Sequence, residues 1–177
     1  MPNTLKAFWG HKSCHVPEDF VLLNEIGCDA EGEDWRMETV PGGVLDVLYV
    51  CHELEKMDHM SAVLFLAECA RLLKPDGVLV VSTFDMRFLA KMYIENPDAD
   101  LRTLVCGLET DGVPHRSWWD YNSLSRELWA QGLTAIERVV PIIYLGLEPE
   151  YRDKSGTRAC GEFVSLNVKA ERKGQNG

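Results

Sequence analysis

Of the 177 residues, 46% are hydrophobic and 26% charged, a globular balance that fits one domain and excludes a disordered or fibrous chain. Against 18 basic residues stand 28 acidic ones, giving a formal charge of −10, which argues against nucleic acid as a partner because affinity for phosphate backbones rests on Lys and Arg. The longest apolar run, Ala62 to Ala67, is far short of the roughly 20 residues needed to cross a bilayer. Trp9-Gly10-His11-Lys12 breaks the first apolar stretch before it reaches signal-peptide length, so the expectation is a cytosolic chain with no membrane partner.

Leu5 to Trp9 reads as a first strand ended by Gly10, and Phe20 to Asn24 as a second that follows the turn Pro17-Glu18-Asp19. Only about eleven residues separate them, near the minimum for a parallel crossover, so a helix between them must be very short or absent. Pro41-Gly42-Gly43 is a turn that opens Val44 to Val50, a nearly continuous apolar run of the kind found in a parallel strand covered on both faces. A helix is predicted from about Ser61 to Leu73, capped by Asp58 or Ser61 and stopped by Lys74-Pro75-Asp76-Gly77. Val78 to Thr83 is the next buried strand, which completes a βαβ unit.

Beyond Thr83 a helix from about Met86 to Ile94 leads into Asn96-Pro97-Asp98, and no period is sustained from there to Trp119. Asp120 or Asn122 caps a helix through Leu124, Leu128 and Trp129 that ends at Gly132. Ile136 to Tyr144 and Phe163 to Val168 read as two closing strands, paired antiparallel across the polar segment 148–161. The domain is expected to span 1–170, with 171–177 a polar tail.

Six cysteines, Cys14, Cys28, Cys51, Cys69, Cys106 and Cys160, contain no CxxC pair and read as reduced thiols. His11, Cys14 and His15 offer nitrogen and sulfur to zinc, but a structural site wants four ligands and no fourth lies near, so the trio reads as a loop and no metal is expected.

The middle of the chain resembles the class I S-adenosylmethionine-dependent methyltransferases, in particular their short single-domain branch. Asp46-Val47-Leu48-Tyr49 is similar to the family's fourth strand, Cys51-His52-Glu53-Leu54-Glu55-Lys56 to its "SHVLEH" segment, and Arg71-Leu72-Leu73-Lys74-Pro75-Asp76-Gly77 to its "RVLKPGG". Ala130-Gln131-Gly132-Leu133 and Ser165-Leu166-Asn167-Val168 extend the likeness towards the end of the chain. The resemblance implies an α/β, Rossmann-like fold: a mostly parallel twisted sheet of seven strands, helices on both faces, an antiparallel carboxy-terminal hairpin and a trimmed first half. Ligands of such sheets lie at the carboxyl ends of the strands, at the topological switch point.

It further implies S-adenosylmethionine as cofactor, at a Gly-x-Gly loop after the first strand. Aligned there, this chain has Phe8-Trp9-Gly10, with only the second glycine. Glu25 matches the acidic residue that takes the ribose hydroxyls, Asp34 and Trp35 match the pair that meets the adenine, and Cys51 and His52 fall beneath the methionine end. Taken by itself, Glu55 reads as a solvated carboxylate. His115 is the first candidate for a catalytic base and His52 the second, since an imidazole accepts protons near neutrality. Trp118, Trp119 and Tyr121 form either an aromatic wall for a ligand or the seam where the late helix docks.

Two functions follow. One is methyl transfer to a small-molecule or glycan-type acceptor, with 84–113 as the lid over it. The other is a methyltransferase-like fold without catalysis that acts as a binding or regulatory subunit, a reading drawn from Phe8 in place of glycine and the short first half. A nicotinamide oxidoreductase is the weakest reading, because no GxGxxG follows the first strand. The acceptor and the oligomeric state are not written in the sequence.

Overall fold

A computed structural model describes residues 4–10, 16–23, 40–96, 98, 105–106, 114–148, 154–156, 158–159 and 162–174. The elements are β1 (Lys6–Gly10), β2 (Phe20–Leu22), β3 (Leu45–Cys51), a 3₁₀ turn (Leu54–Lys56), α1 (His59–Leu72), β4 (Leu73–Phe84), α2 (Met86–Glu95), α3 (Tyr121–Ala130), β5 (Leu133–Arg138), α4 (Pro141–Tyr144), a 3₁₀ turn (Lys154–Gly156), β6 (Arg158–Ala159), β7 (Glu162–Phe163) and β8 (Ser165–Arg172). Six strands form one sheet in the order β2-β1-β3-β4-β8-β5, and β6 and β7 form a separate antiparallel ribbon. The four strands from β2 to β4 are parallel, while β8 runs antiparallel to both β4 and β5. The Rossmann-like expectation holds, with six strands among the described residues where seven were implied.

Each face of the sheet buries its own core. On one face Ala7, Trp9, Leu48, Val50, Leu79, Val81, Leu166 and Val168 pack under Phe65 and Leu66 of α1 and Leu124 and Leu128 of α3. On the other lie Phe8, Phe20, Tyr49, Cys51 and Val80, covered by Val16 and by Val139, Leu145 and Leu147 from beyond β5. Among the described residues, part of the cover on this face thus comes from the segment around α4.

Helix starts follow their caps. Asp58 accepts from the Ser61 backbone N–H at 3.1 Å to open α1, and Asp120 and Ser123 form a reciprocal capping box on α3. Replacing Asp120 by Ala is expected to cost about 1 kcal/mol, measured by denaturant unfolding.

Three boundaries differ from expectation. The predicted Pro-Asp-Gly turn is absorbed into β4 as an irregularity opposite Leu45–Val47, with Asp76 at φ 63° and Gly77 so close to the Leu45 and Lys74 carbonyls that a Cβ would lie 2.9 Å from each. The strand expected over Ile136–Tyr144 stops at Arg138, because Pro141, which has no N–H for a ladder, opens α4 instead. The last strand continues to Arg172, whose guanidinium donates to the carbonyls of Arg71 and Leu73, so Glu171 and Arg172 belong to the ladder and not to a tail.

Candidate functional site

The carboxyl end of β3 turns sharply at His52, a non-glycine residue held at φ 55°, a conformation that L side chains adopt only when their surroundings enforce it. Those surroundings are visible. The His52 amide donates to Ser82 O at 2.8 Å, Nδ1 meets Glu55 Oε1 at 2.6 Å, and Nε2 meets Ser165 Oγ at 2.8 Å. Glu55 completes the set by accepting from Thr83 Oγ1 at 2.7 Å. His52 and Glu55 are 3% and 2% exposed.

Glu55 is therefore no solvated carboxylate, and the expectation from sequence is corrected by these partners. Burial alone would push its carboxyl up, but the facing His52 charge and the hydrogen bonds from His52 and Thr83 outweigh that and hold it below the usual range. An ionised Glu55 can only accept, so Nδ1 of His52 carries the proton between them. Nε2 meets Ser165 Oγ, accepting its proton when the ring is neutral and donating to it when the ring is charged. Ser165–His52–Glu55 is accordingly a hydrogen-bonded chain that fixes the orientation of the imidazole.

The segment that carries His115 docks on the same turn. Arg116 and Ser117 amides donate to Glu55 O at 2.6 and 3.3 Å, Ser117 Oγ donates to Leu54 O at 2.8 Å, and Trp119 Nε1 donates to Ser117 Oγ at 3.0 Å. His115 is half-buried and its ring lies tilted against Phe84 at 4.7 Å, and the His52 ring stands edge-on to Phe84 at 5.6 Å. The two candidate bases thus flank one aromatic ring. Trp119 is buried in the core and Tyr121 donates to Ile136 O at 3.0 Å, so both belong to the seam of α3, while Trp118 is exposed.

The expected cofactor strand is built differently. Trp9 packs edge-on against Phe65 at 5.2 Å on one face of the sheet, and Phe8 packs against Tyr49 at 5.4 Å on the other. The Phe8 ring folds along the strand over Gly10, where a Cβ would lie 2.5 Å from Phe8 Cζ and 3.4 Å from the Cys51 carbonyl. Gly10 is thus a glycine that packing demands, and Cys51 is fully buried beside it. Glu25, Asp34 and Trp35 lie outside the described residues, as do His11, Cys14 and His15. Among the described residues no group of three or more His, Cys, Asp or Glu could hold a metal, and no helix is long and apolar enough to cross a membrane.

The same edge of the sheet opens into a cleft of about 680 Å³ between the start of α2, the end of β5 and the start of β8. Ser165 and Asn167 form its floor, alternating with Leu166 and Val168, which face the opposite core. Sequence reasoning missed this pair. The signal was present as polar residues two apart that alternate with apolar Leu166 and Val168, a spacing that puts both on one face.

No family model matches the chain, and no curated protein matches it in sequence. Solved structures are similar to it. The S-adenosylmethionine-dependent methyltransferase SibL in its apo form has a TM-score of 0.50 at 14% identity over 88% of this chain. A candidate exported protein of Bordetella parapertussis has a TM-score of 0.50 at 16% identity over 88%. A third likeness, at TM-score 0.49, 11% identity and 90% of this chain, is to the complex of the Haloferax volcanii Trm112 methyltransferase activator with a candidate methyltransferase. The chain spans 36%, 45% and 64% of those chains in turn. At such identities the likeness shows the fold alone, and that fold is the one S-adenosylmethionine-dependent methyltransferases use.

Proposed function

We propose that this chain, built on the methyltransferase fold, binds a small-molecule or glycan-type ligand at the carboxyl edge of its sheet without transferring a methyl group. The observation that carries this reading is the Phe8 ring over Gly10. A cofactor carboxylate needs bare backbone at the end of the strand, and at Gly10 the side that lacks a Cβ is filled by the ring. Phe8 and Trp9 are accounted for by the two cores, and Gly10 by Phe8. On this reading the described residues at the end of β1 do not fit S-adenosylmethionine.

The test is calorimetric. Titration of S-adenosylmethionine and of its demethylated product into the full chain is expected to give no saturable heat up to about 1 mM, the concentration at which binding is worth only about 4 kcal/mol. Binding of either at micromolar concentration overturns the reading.

In that event the second reading takes over: methyl transfer from S-adenosylmethionine to a small-molecule or glycan-type hydroxyl, which is what the resemblance implies. The Ser165–His52–Glu55 chain favours it. Ser165 lines the cleft, so its oxygen can take a proton from an acceptor hydroxyl while its own passes to His52 Nε2, and Glu55 stabilises the imidazolium formed. His115, across Phe84, is the rival base. Rates of His52→Gln and His115→Gln across pH 6 to 9 would separate them, because loss of the base removes the pH-dependent rise in rate.

A further inference from the structure

The cleft carries a charge opposite to that of the molecule. The chain as a whole has a formal charge of −10, yet among the described residues the ionisable side chains lining the cleft are Arg87, Lys91 and Arg138 against Asp85 alone, three positive and one negative. Asp85 is already engaged: its Oδ1 accepts the Arg87 amide at 2.9 Å to cap α2, and its Oδ2 meets Arg138 Nη1 at 3.4 Å. That contact uses one of the five guanidinium donors of Arg138, whose plane also stands 5.1 Å from the Tyr121 ring. Lys91 Nζ also stands 4.0 Å from Glu95 Oε1, an exposed pair of the kind that contributes little, so the lining carboxylate orients the wall and the lining stays net cationic. Clefts lined by one sign of charge concentrate ligands of the other.

The floor adds a second requirement. Asn167 is 5% exposed and its Nδ2 donates to Ser155 O at 3.1 Å, which fixes which end of the amide is which. Among the described residues its Oδ1 accepts no hydrogen bond. Buried polar atoms almost always have a partner, and an acceptor at the floor of a cleft selects a donor. Ser165 Oγ, two residues away on the same face, is held by His52 at 2.8 Å and presents a second hydroxyl-sized polar group.

We infer that this cleft binds a small anionic ligand that bears hydroxyl groups: a carboxylate or phosphate held by Arg138, Arg87 and Lys91, and a hydroxyl directed at the floor formed by Asn167 and Ser165. The inference rests on reading the cleft as the ligand site and gives that ligand its chemical class. An oxyanion suits Arg138 because a planar guanidinium binds two oxygens in parallel, and Lys91 contributes a point charge from the exposed side of α2.

The experiment titrates the full chain with inorganic phosphate, with glycerate and with glycerol at fixed ionic strength. Saturable binding of phosphate or glycerate but not glycerol is expected, and whichever anion binds more tightly identifies the oxyanion. Arg138→Gln and Lys91→Gln are each expected to weaken it about tenfold, the loss of one charge-assisted contact, while Lys6→Gln, remote from the cleft, leaves it unchanged. Lys91 is exposed, so its variant keeps the fold and decides the matter if Arg138→Gln does not fold. Neither anion saturating by about 10 mM, or unchanged affinity in Lys91→Gln, overturns the inference. Failure here is distinct from failure of the proposed function: S-adenosylmethionine binding would overturn the function and leave the anion result standing, and the converse holds as well.

Discussion

Glu55→Ala is expected to lower the unfolding free energy by about 3–5 kcal/mol, the range for removing one partner from a buried charged pair. The carboxylate is the common acceptor for His52 Nδ1 and Thr83 Oγ1, and both donors would be left buried without it. Its loss also releases the constraint that holds His52 at φ 55°. Glu55→Gln keeps the volume and one acceptor, so it should cost less than the alanine variant. The pH dependence has a definite sign. The folded carboxyl lies below its unfolded value of 4.5, so its contribution is fully present above about pH 4.5 and is lost as pH falls through the folded value. Urea unfolding of wild type and Glu55→Gln between pH 3 and 7 should therefore converge towards the acid end. Parallel curves across that range would show that folding does not shift the Glu55 carboxyl, and a wild type that loses stability relative to Glu55→Gln as pH rises would show that it is protonated in the folded protein.

Phe8→Ala is expected to cost about 3–5 kcal/mol, the usual range for emptying a fully buried phenyl site. The ring is held on three sides, by Tyr49 edge-on at 5.4 Å, by Gly10 beneath it and by the cover of Leu145 and Leu147, so collapse into the gap is limited. The same variant tests the function, because it bares Gly10. If Phe8 is what closes the strand end, Phe8→Ala should bind S-adenosylmethionine measurably better than wild type in the calorimeter, despite its lower stability. A variant that folds and still shows no heat would place the obstruction elsewhere. Comparing midpoint and slope in denaturant separates a loss of stability from a change in compactness.

The architecture was legible where burial is two-sided. Val47 to Val50 and Val78 to Val81 are apolar at consecutive positions, as expected of short strands covered on both faces. Helix starts were legible because Asp58 and Asp120 each precede a serine by three residues, the spacing at which a cap closes. The site was less so. His52 and Cys51 could be named from their place after a central strand, and His115 from its resemblance, but the partners that give His52 its meaning come from elsewhere: Ser165 is 113 residues away. Glu55 misled because it sits between Leu54 and Lys56, in a stretch with Glu53 that reads as a wet turn, and only the docking of 115–117 onto it closes the water out. The end of β5 was misjudged because Ile142, Ile143 and Tyr144 have strand-forming side chains, and Pro141 overrode them.

The position of β8 between β4 and β5 has a consequence for how the chain is made. The strand that joins the two halves of the sheet is the last of the eight to be synthesised, and until it arrives the β4 flank presents an open row of amides and carbonyls beside Val78 to Val81. Assembly of the sheet is thereby deferred until Ser165–Arg172 has been made, and a ribosome-bound fragment stopped before Ser165 should be sticky, a client for holding chaperones until β8 slides home.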